Sequence, residues 1–215
     1  MAAEARIVRR LEWRVAIGGG SAAGAHEAAR RLIDDGCDAL VSFGLAAGLD
    51  PALRPGALIV PSLVVVSGDG RARPSHDGEI TNPEISRMLG GATAHTLLGL
   101  DSVVATVAGK RGLHEATFAA AADLESGAVA CVAAQQGVPF AVLRAICDPA
   151  ERTLPPAALV ALDAHGAIGI GRVVRSLLAR PAQLPGLFAL AADAAAARRA
   201  LTARVRQIRR AAAAQ

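Results

Sequence analysis

The stretch ADLESGAVACVAAQQGVPFAVLRAICD, residues 122–148, decides the fold. Glu125 to Gln136 reads as a helix of small apolar residues that stops at Gly137, the residue best suited to the left-handed position just past a helix. Pro139 to Cys147 then runs almost wholly apolar over the length of one strand, the pattern of a strand buried on both faces, as in parallel sheets. It ends at Asp148, and Pro149 behind it biases Asp148 away from helical geometry, which leaves the carboxylate at the rim of the sheet. A helix feeding such a strand is the repeating unit of an α/β protein.

Outward from that unit the rhythm repeats. Residues 2–10 read as a helix, Trp13 to Ile17 as a strand, Ala22 to Asp35 as a helix capped by Ser21, and Ala39 to Phe43 as a strand. GLAAGLDPALRPG, residues 44–56, reads as a tight glycine and proline passage rather than a regular element. Ala57 to Val66 is a strand broken at Pro61, and 67–81 a polar loop. Asn82 and Pro83 open a helix to Leu89; extended segments follow near 93–98 and 101–107, then a helix from Lys110 to Ala119. Three helices are expected over 155–163, 167–179 and 186–213. The architecture is a mixed, mostly parallel twisted central sheet flanked by helices. Residues 1–180 form the domain, and 181–215, nearly an Ala/Arg/Leu polymer, form a basic helical appendage.

With 53% apolar and 20% charged residues, the 215-residue chain can bury a core and folds as one domain. No apolar run approaches the roughly 18 residues of a membrane span. Glu4, Arg6, Arg9 and Arg10 stand where a signal peptide needs apolar residues, so a soluble cytoplasmic protein is expected. Cys37, Cys131 and Cys147 lack metal-ligand spacing and fit buried reduced thiols. The net charge is +4, and Arg198, Arg199, Arg204, Arg206, Arg209 and Arg210 form its one basic cluster, a solvated helix face or a face for an anionic membrane. Aromatics total 2% with no Tyr, which leaves few stacking platforms and argues against nucleic acid as a partner.

Ligands of open parallel sheets bind beyond the carboxyl ends of the strands. By position Asp148 is equally a functional acid and a turn residue, Glu125 an ordinary first-turn glutamate favoured by the helix dipole, and Glu4 an exposed helix residue. Gly18 to Gly20 follow an expected strand, but the third glycine of a dinucleotide fingerprint is misplaced and no acid ends the next strand, so no cofactor site is read there. His26, His76, His95, His114 and His165 are scattered, no metal site is expected, and no nucleophile elbow occurs.

Three blocks, AAEARIV (2–8), SFGLAAGLDPALRPGALIVP (42–61) and the 122–148 stretch, together resemble the nucleoside phosphorylase/nucleosidase superfamily. DLESGAVA and VLRAICDPAERTLPPAAL look most like its hopanoid-associated phosphorylases. The resemblance implies a purine nucleoside phosphorylase-like fold and roles for single residues. Asp148 matches the aspartate that protonates or hydrogen-bonds the purine at N7, and Glu125 the glutamate that holds the ribose hydroxyls. Leu124 stands where Met usually lines the sugar, and the backbone of Ala46, Ala47 and Gly48 would approach base and ribose. Glu4 matches the glutamate that positions the attacking water. The family normally has a strand before that glutamate, and only three residues precede it here: either the start codon is misassigned or the first strand is absent, which would leave Glu4 poorly anchored.

The implied activity is cleavage of the N-glycosidic bond of an adenosyl compound, adenosylhopane in hopanoid biosynthesis, releasing adenine. The resemblance implies phosphate as a possible co-substrate and no other cofactor. Leu45 replaces the serine usual for phosphate binding, and Ser21, Arg144 and the backbone of Gly18 to Gly20 remain as donors. Hydrolysis and phosphorolysis both stay open. So do a methylthioadenosine/S-adenosylhomocysteine-type nucleosidase and a non-catalytic nucleoside-binding module. Residues 150–190 are apolar enough to admit a lipid, 186–213 to touch the inner membrane peripherally, and the family suggests a homo-oligomer.

Overall fold

The computed structural model describes residues 2–66, 78–158 and 183–214. Its core is a seven-stranded mixed sheet. In chain order the strands are β1 (Leu40–Gly48), β2 (Leu58–Ile59), β3 (Pro61–Val66), β4 (Gly78–Ile80), β5 (Ala94–Gly99), β6 (Ala121–Asp123) and β7 (Phe140–Asp148). The helices are α1 (Ala2–Val8), α2 (Ala22–Asp34), α3 (Pro83–Met88), α4 (Val107–Thr117), α5 (Ser126–Gln136) and α6 (Leu184–Ala212). Across the sheet the order is β2-β7-β1-β6-β5-β3-β4, with β1–β7, β3–β5 and β5–β6 parallel.

β2 and β3 are separated by Val60 alone, yet they occupy the first and sixth places of that order. Covalent continuity therefore brings the two ends together, and the sheet curls. Pro61 marks the break, where a residue without an N–H costs no ladder bond. Thr93 stitches it: its hydroxyl accepts from Val60 N at 2.8 Å and donates to Leu58 O at 3.0 Å.

β7 is the axis of the packing. Phe140, Val142 and Ile146 join α5 residues Ala130 and Ala133 in one core, while Ala141, Leu143 and Ala145 meet Ala197, Leu201 and Ile208 of α6 in another. Burial on both faces explains the unbroken apolar run. Ala197, Leu201 and Val205 are fully buried, so the apolar face of α6 is used inside the fold, whereas Arg199, Arg206, Arg209 and Arg210 are exposed.

Several elements depart from expectation. Trp13 to Ile17 is not a strand: among the described residues no backbone ladder pairs it, and an apolar alternation becomes a strand only beside a partner. The glycine passage is strand to Gly48, with a register shift between Ala46 and Ala47, because β1 continues against β7 and then against β6. Gly78 to Ile80, expected in a loop, pair with β3, and 101–106 form no strand. Residues 67–77, most of 155–163 and all of 167–179 lie outside the described residues. The capped helix starts hold: Ser21 Oγ accepts from Gly24 N, and Asn82 Oδ1 from Glu84 N and Ile85 N.

Candidate functional site

Arg144 is the one cationic side chain in β7 and is 2% exposed. It points to the α5 side and crosses β1 at Gly44, where any Cβ would run into its Nη1. Beyond the glycine the guanidinium meets Asp123 Oδ2 at 2.5 Å and Glu125 Oε2 at 3.2 Å, and donates to Ser42 Oγ at 2.7 Å and Ser126 Oγ at 3.2 Å. Asp123 in turn caps α5, accepting from Ser126 N at 3.0 Å. Buried charge is tolerated here because every partner is placed.

Glu125 sits at the start of α5. Its Oε1 accepts from Gly20 N at 3.0 Å, which ties the glycine run to the carboxylate. Gly19 and Gly20 have φ of +75° and +82°, conformations that favour glycine. Gly18 is packed so closely that a Cβ would lie 2.9 Å from both Glu125 Oε1 and Ala25 Cα. The three glycines thus serve Glu125 and the seat of α2. Burial pushes Glu125 up, but Arg144 and the Gly20 N–H overcome it, and the net shift is below the usual carboxylate range.

Glu125 and Glu4 line one cavity of about 510 Å³ between the segment 13–18 and the first half of β1, within the size range of small-molecule sites. Glu4 is 2% exposed and is held by Arg198 Nε of α6 at 3.1 Å. The expectation of a poorly anchored Glu4 is thereby corrected: helix α6 supplies the anchor. Burial pushes Glu4 up, yet its own backbone N–H and Arg198 bring it below the ordinary range. An ionised carboxylate at the cavity wall can take a proton from water.

Asp148 closes β7, and Leu124, Ala46, Ala47 and Gly48 lie with it outside the cavity wall. Strand pairing sets Asp148 beside Ala47 and Ala47 beside Ala122, three residues before Glu125. Asp148 is 5% exposed, and its Oδ1 lies 2.7 Å from Nζ of Lys110, a lysine of α4 with no exposed surface. Burial pushes Asp148 up and Lys110 opposes it; the net shift is upward. Burial also pushes the Cys147 thiol up to about 12, which leaves it no nucleophile.

Lys110, Asp123, Ser126 and Ser42 were not among the sequence candidates. The legible signal was Arg144, a charge in a buried strand, which demands counter-charges nearby. Among the described residues no group of three or more metal-ligating side chains is close enough to hold an ion, and no helix is long and apolar enough to cross a membrane.

The family described as the phosphorylase superfamily matches residues 7–179. No curated protein matches the chain in sequence. Among solved structures, a mutant methylthioadenosine nucleosidase from Helicobacter pylori with 5′-methylthioadenosine in its active site superposes with a TM-score of 0.63 at 16% identity, covering 96% of this chain and 95% of that one. Futalosine hydrolase of the same organism gives 0.60 at 18%, covering 83% and 94%. A structure described as a putative 5′-methylthioadenosine/S-adenosylhomocysteine nucleosidase from Francisella philomiragia gives 0.55 at 22%, covering 77% and 80%.

Proposed function

The chain belongs to the phosphorylase superfamily, and from that premise we propose that it cleaves the N-glycosidic bond of an adenosyl compound and releases adenine, with an adenosyl lipid of the adenosylhopane type as substrate. The observation that carries the reading is that Glu4 and Glu125, from opposite ends of the sequence, line one cavity of about 510 Å³. In this reading Glu125 accepts hydrogen bonds from the ribose hydroxyls, which become more acidic as positive charge grows on the sugar. The base lies along Ala46 to Gly48, towards Asp148.

Hydrolysis then runs in balance. Water adds to C1′ and gives a proton to Glu4; the C1′–N9 bond breaks, and its electron pair goes to the purine. Asp148 donates its proton at N7, an act favoured by burial, which raises its pKa. Phosphorolysis is disfavoured by the engagement of Arg144 with Asp123, Glu125, Ser42 and Ser126, and of Gly20 N with Glu125.

The lipid specificity is supported by the resemblance of DLESGAVA and VLRAICDPAERTLPPAAL to hopanoid-associated enzymes. A small-nucleoside specificity is the second reading, supported by the likeness to methylthioadenosine nucleosidases. Mass spectrometry of products from adenosylhopane and from 5′-methylthioadenosine, with and without phosphate, tests both. Adenine with a free sugar supports hydrolysis, and a sugar 1-phosphate overturns it. No adenine from either substrate makes the chain a binding module.

A further inference from the structure

Lys110 is the sole lysine of the chain; the other 22 of its 23 Lys and Arg residues are arginines. Its side chain is fully buried, and its ammonium faces three oxygens: Asp148 Oδ1 at 2.7 Å and the carbonyls of Pro149 and Arg152, both at 2.9 Å. Two of the ammonium's three protons go to the carbonyls, and its charge is answered by Asp148 Oδ1 as an ion pair. A guanidinium is flat, with five donors in a rigid fork, and does not reproduce that arrangement. Lys110 thereby joins α4 to the end of β7 and to the turn that follows it. A buried ion pair is a poor device for stability alone, since well-packed apolar side chains serve as well or better. The pair sits where the proposed reaction needs a carboxyl group held still.

We infer that Lys110 is a positioning residue for departure of the base: it fixes the Oδ1 side of Asp148, turns Oδ2 to the purine, and sets the pH range in which that carboxyl group holds its proton. The inference rests on the nucleosidase reading above. Opposite charge favours the carboxylate and burial favours the acid, so the two together poise the group. The other titratable groups facing Asp148 are Arg152, whose guanidinium pairs with Asp193 of α6, then Asp193 itself and Cys147. Lys110 differs from these in contacting the carboxylate directly.

The test measures adenine release from adenosylhopane and 5′-methylthioadenosine against pH for the wild-type chain, Lys110→Met, Lys110→Gln and Lys110→Arg, with circular dichroism to confirm folding. Asp148 must be protonated to donate, so the rate falls as pH rises through its pKa. Loss of the ammonium raises that pKa, and the basic limb of kcat/KM moves to higher pH in Lys110→Met and Lys110→Gln. Loss of the fixed geometry lowers kcat by roughly tenfold or more in both. Lys110→Arg restores the charge and returns the limb towards its wild-type place. A folded neutral variant with an unmoved limb overturns the inference, as does failure of both neutral variants to fold, which makes Lys110 structural. If the wild-type chain releases adenine but the limb does not move, only this inference falls; if it releases none, the nucleosidase reading falls with it.

Discussion

Arg144 Nη1 stands 3.2 Å from Glu125 Oε2, reached across the bare backbone of Gly44. This contact joins a central strand to the helix start that carries the proposed ribose-binding glutamate. Arg144→Met leaves Asp123 and Glu125 without their counter-charge, and breaking a buried pair in this way costs about 3–5 kcal/mol. Urea denaturation is expected to show that loss, and a wild-type midpoint would refute the account of the cluster.

Gly44→Ala is the milder companion. The added methyl displaces the guanidinium rather than removing it, and overpacking of this kind costs about 1–3 kcal/mol. Its effect should be much smaller in an Arg144→Met background, where the obstructed group is gone. Equal effects in both backgrounds, by thermal melts, mean that the glycine is needed for another reason.

Asp148→Asn tests the acid. Base release is expected to fall by about 10²- to 10⁴-fold, the usual contribution of a positioned acid. Stability falls too, because Lys110 keeps a buried charge without a carboxylate beside it. Full turnover in single-turnover kinetics would remove Asp148 from the mechanism.

Acid unfolding follows from the glutamates. Glu4 and Glu125 both have folded pKa values below their ordinary 4.5. The folded state thus binds their protons less readily than the unfolded chain, and the stability they contribute is present above that value and lost as pH falls through the folded pKa values. Asp148, shifted upward, has the opposite sign: its contribution declines as pH rises from 3.8 through its folded value. Urea midpoints against pH should fall steeply on the acid side for wild type and less steeply for Glu125→Gln; parallel curves contradict the assignment.

Helix α6 is expected to be needed for folding. Leu201 is fully buried against β7, and Leu201→Ala costs about 2–5 kcal/mol in a site of this kind. Chemical denaturation measures it, and a change near zero contradicts the packing. Since Ala197, Leu201, Val205 and Ile208 of α6 are buried, vesicle binding by 186–213 would rest mainly on Arg199, Arg206, Arg209 and Arg210, beside the exposed ring of Phe188. Co-sedimentation that persists in high salt rules out that electrostatic mode.

What the sequence by itself determined is local. The helix closed by Gly137, the strand buried on both faces from Phe140 to Asp148, and the caps Ser21 and Asn82 depend on neighbours a few residues away, so periodicity and capping chemistry suffice to place them. The tertiary structure alone decided what depends on partners distant in the chain. Trp13 to Ile17 has the alternation of a strand and finds no ladder among the described residues, whereas Gly44 to Gly48 has the glycines of a loop and is held as strand by β7 and β6. Glu4 looked exposed on its own helix until Arg198, 194 residues away, was placed beside it. Lys110 read as one more helix residue until its helix packed under the end of β7. A charge is recognised as functional by the charge that answers it, and that pairing exists only once the chain has folded.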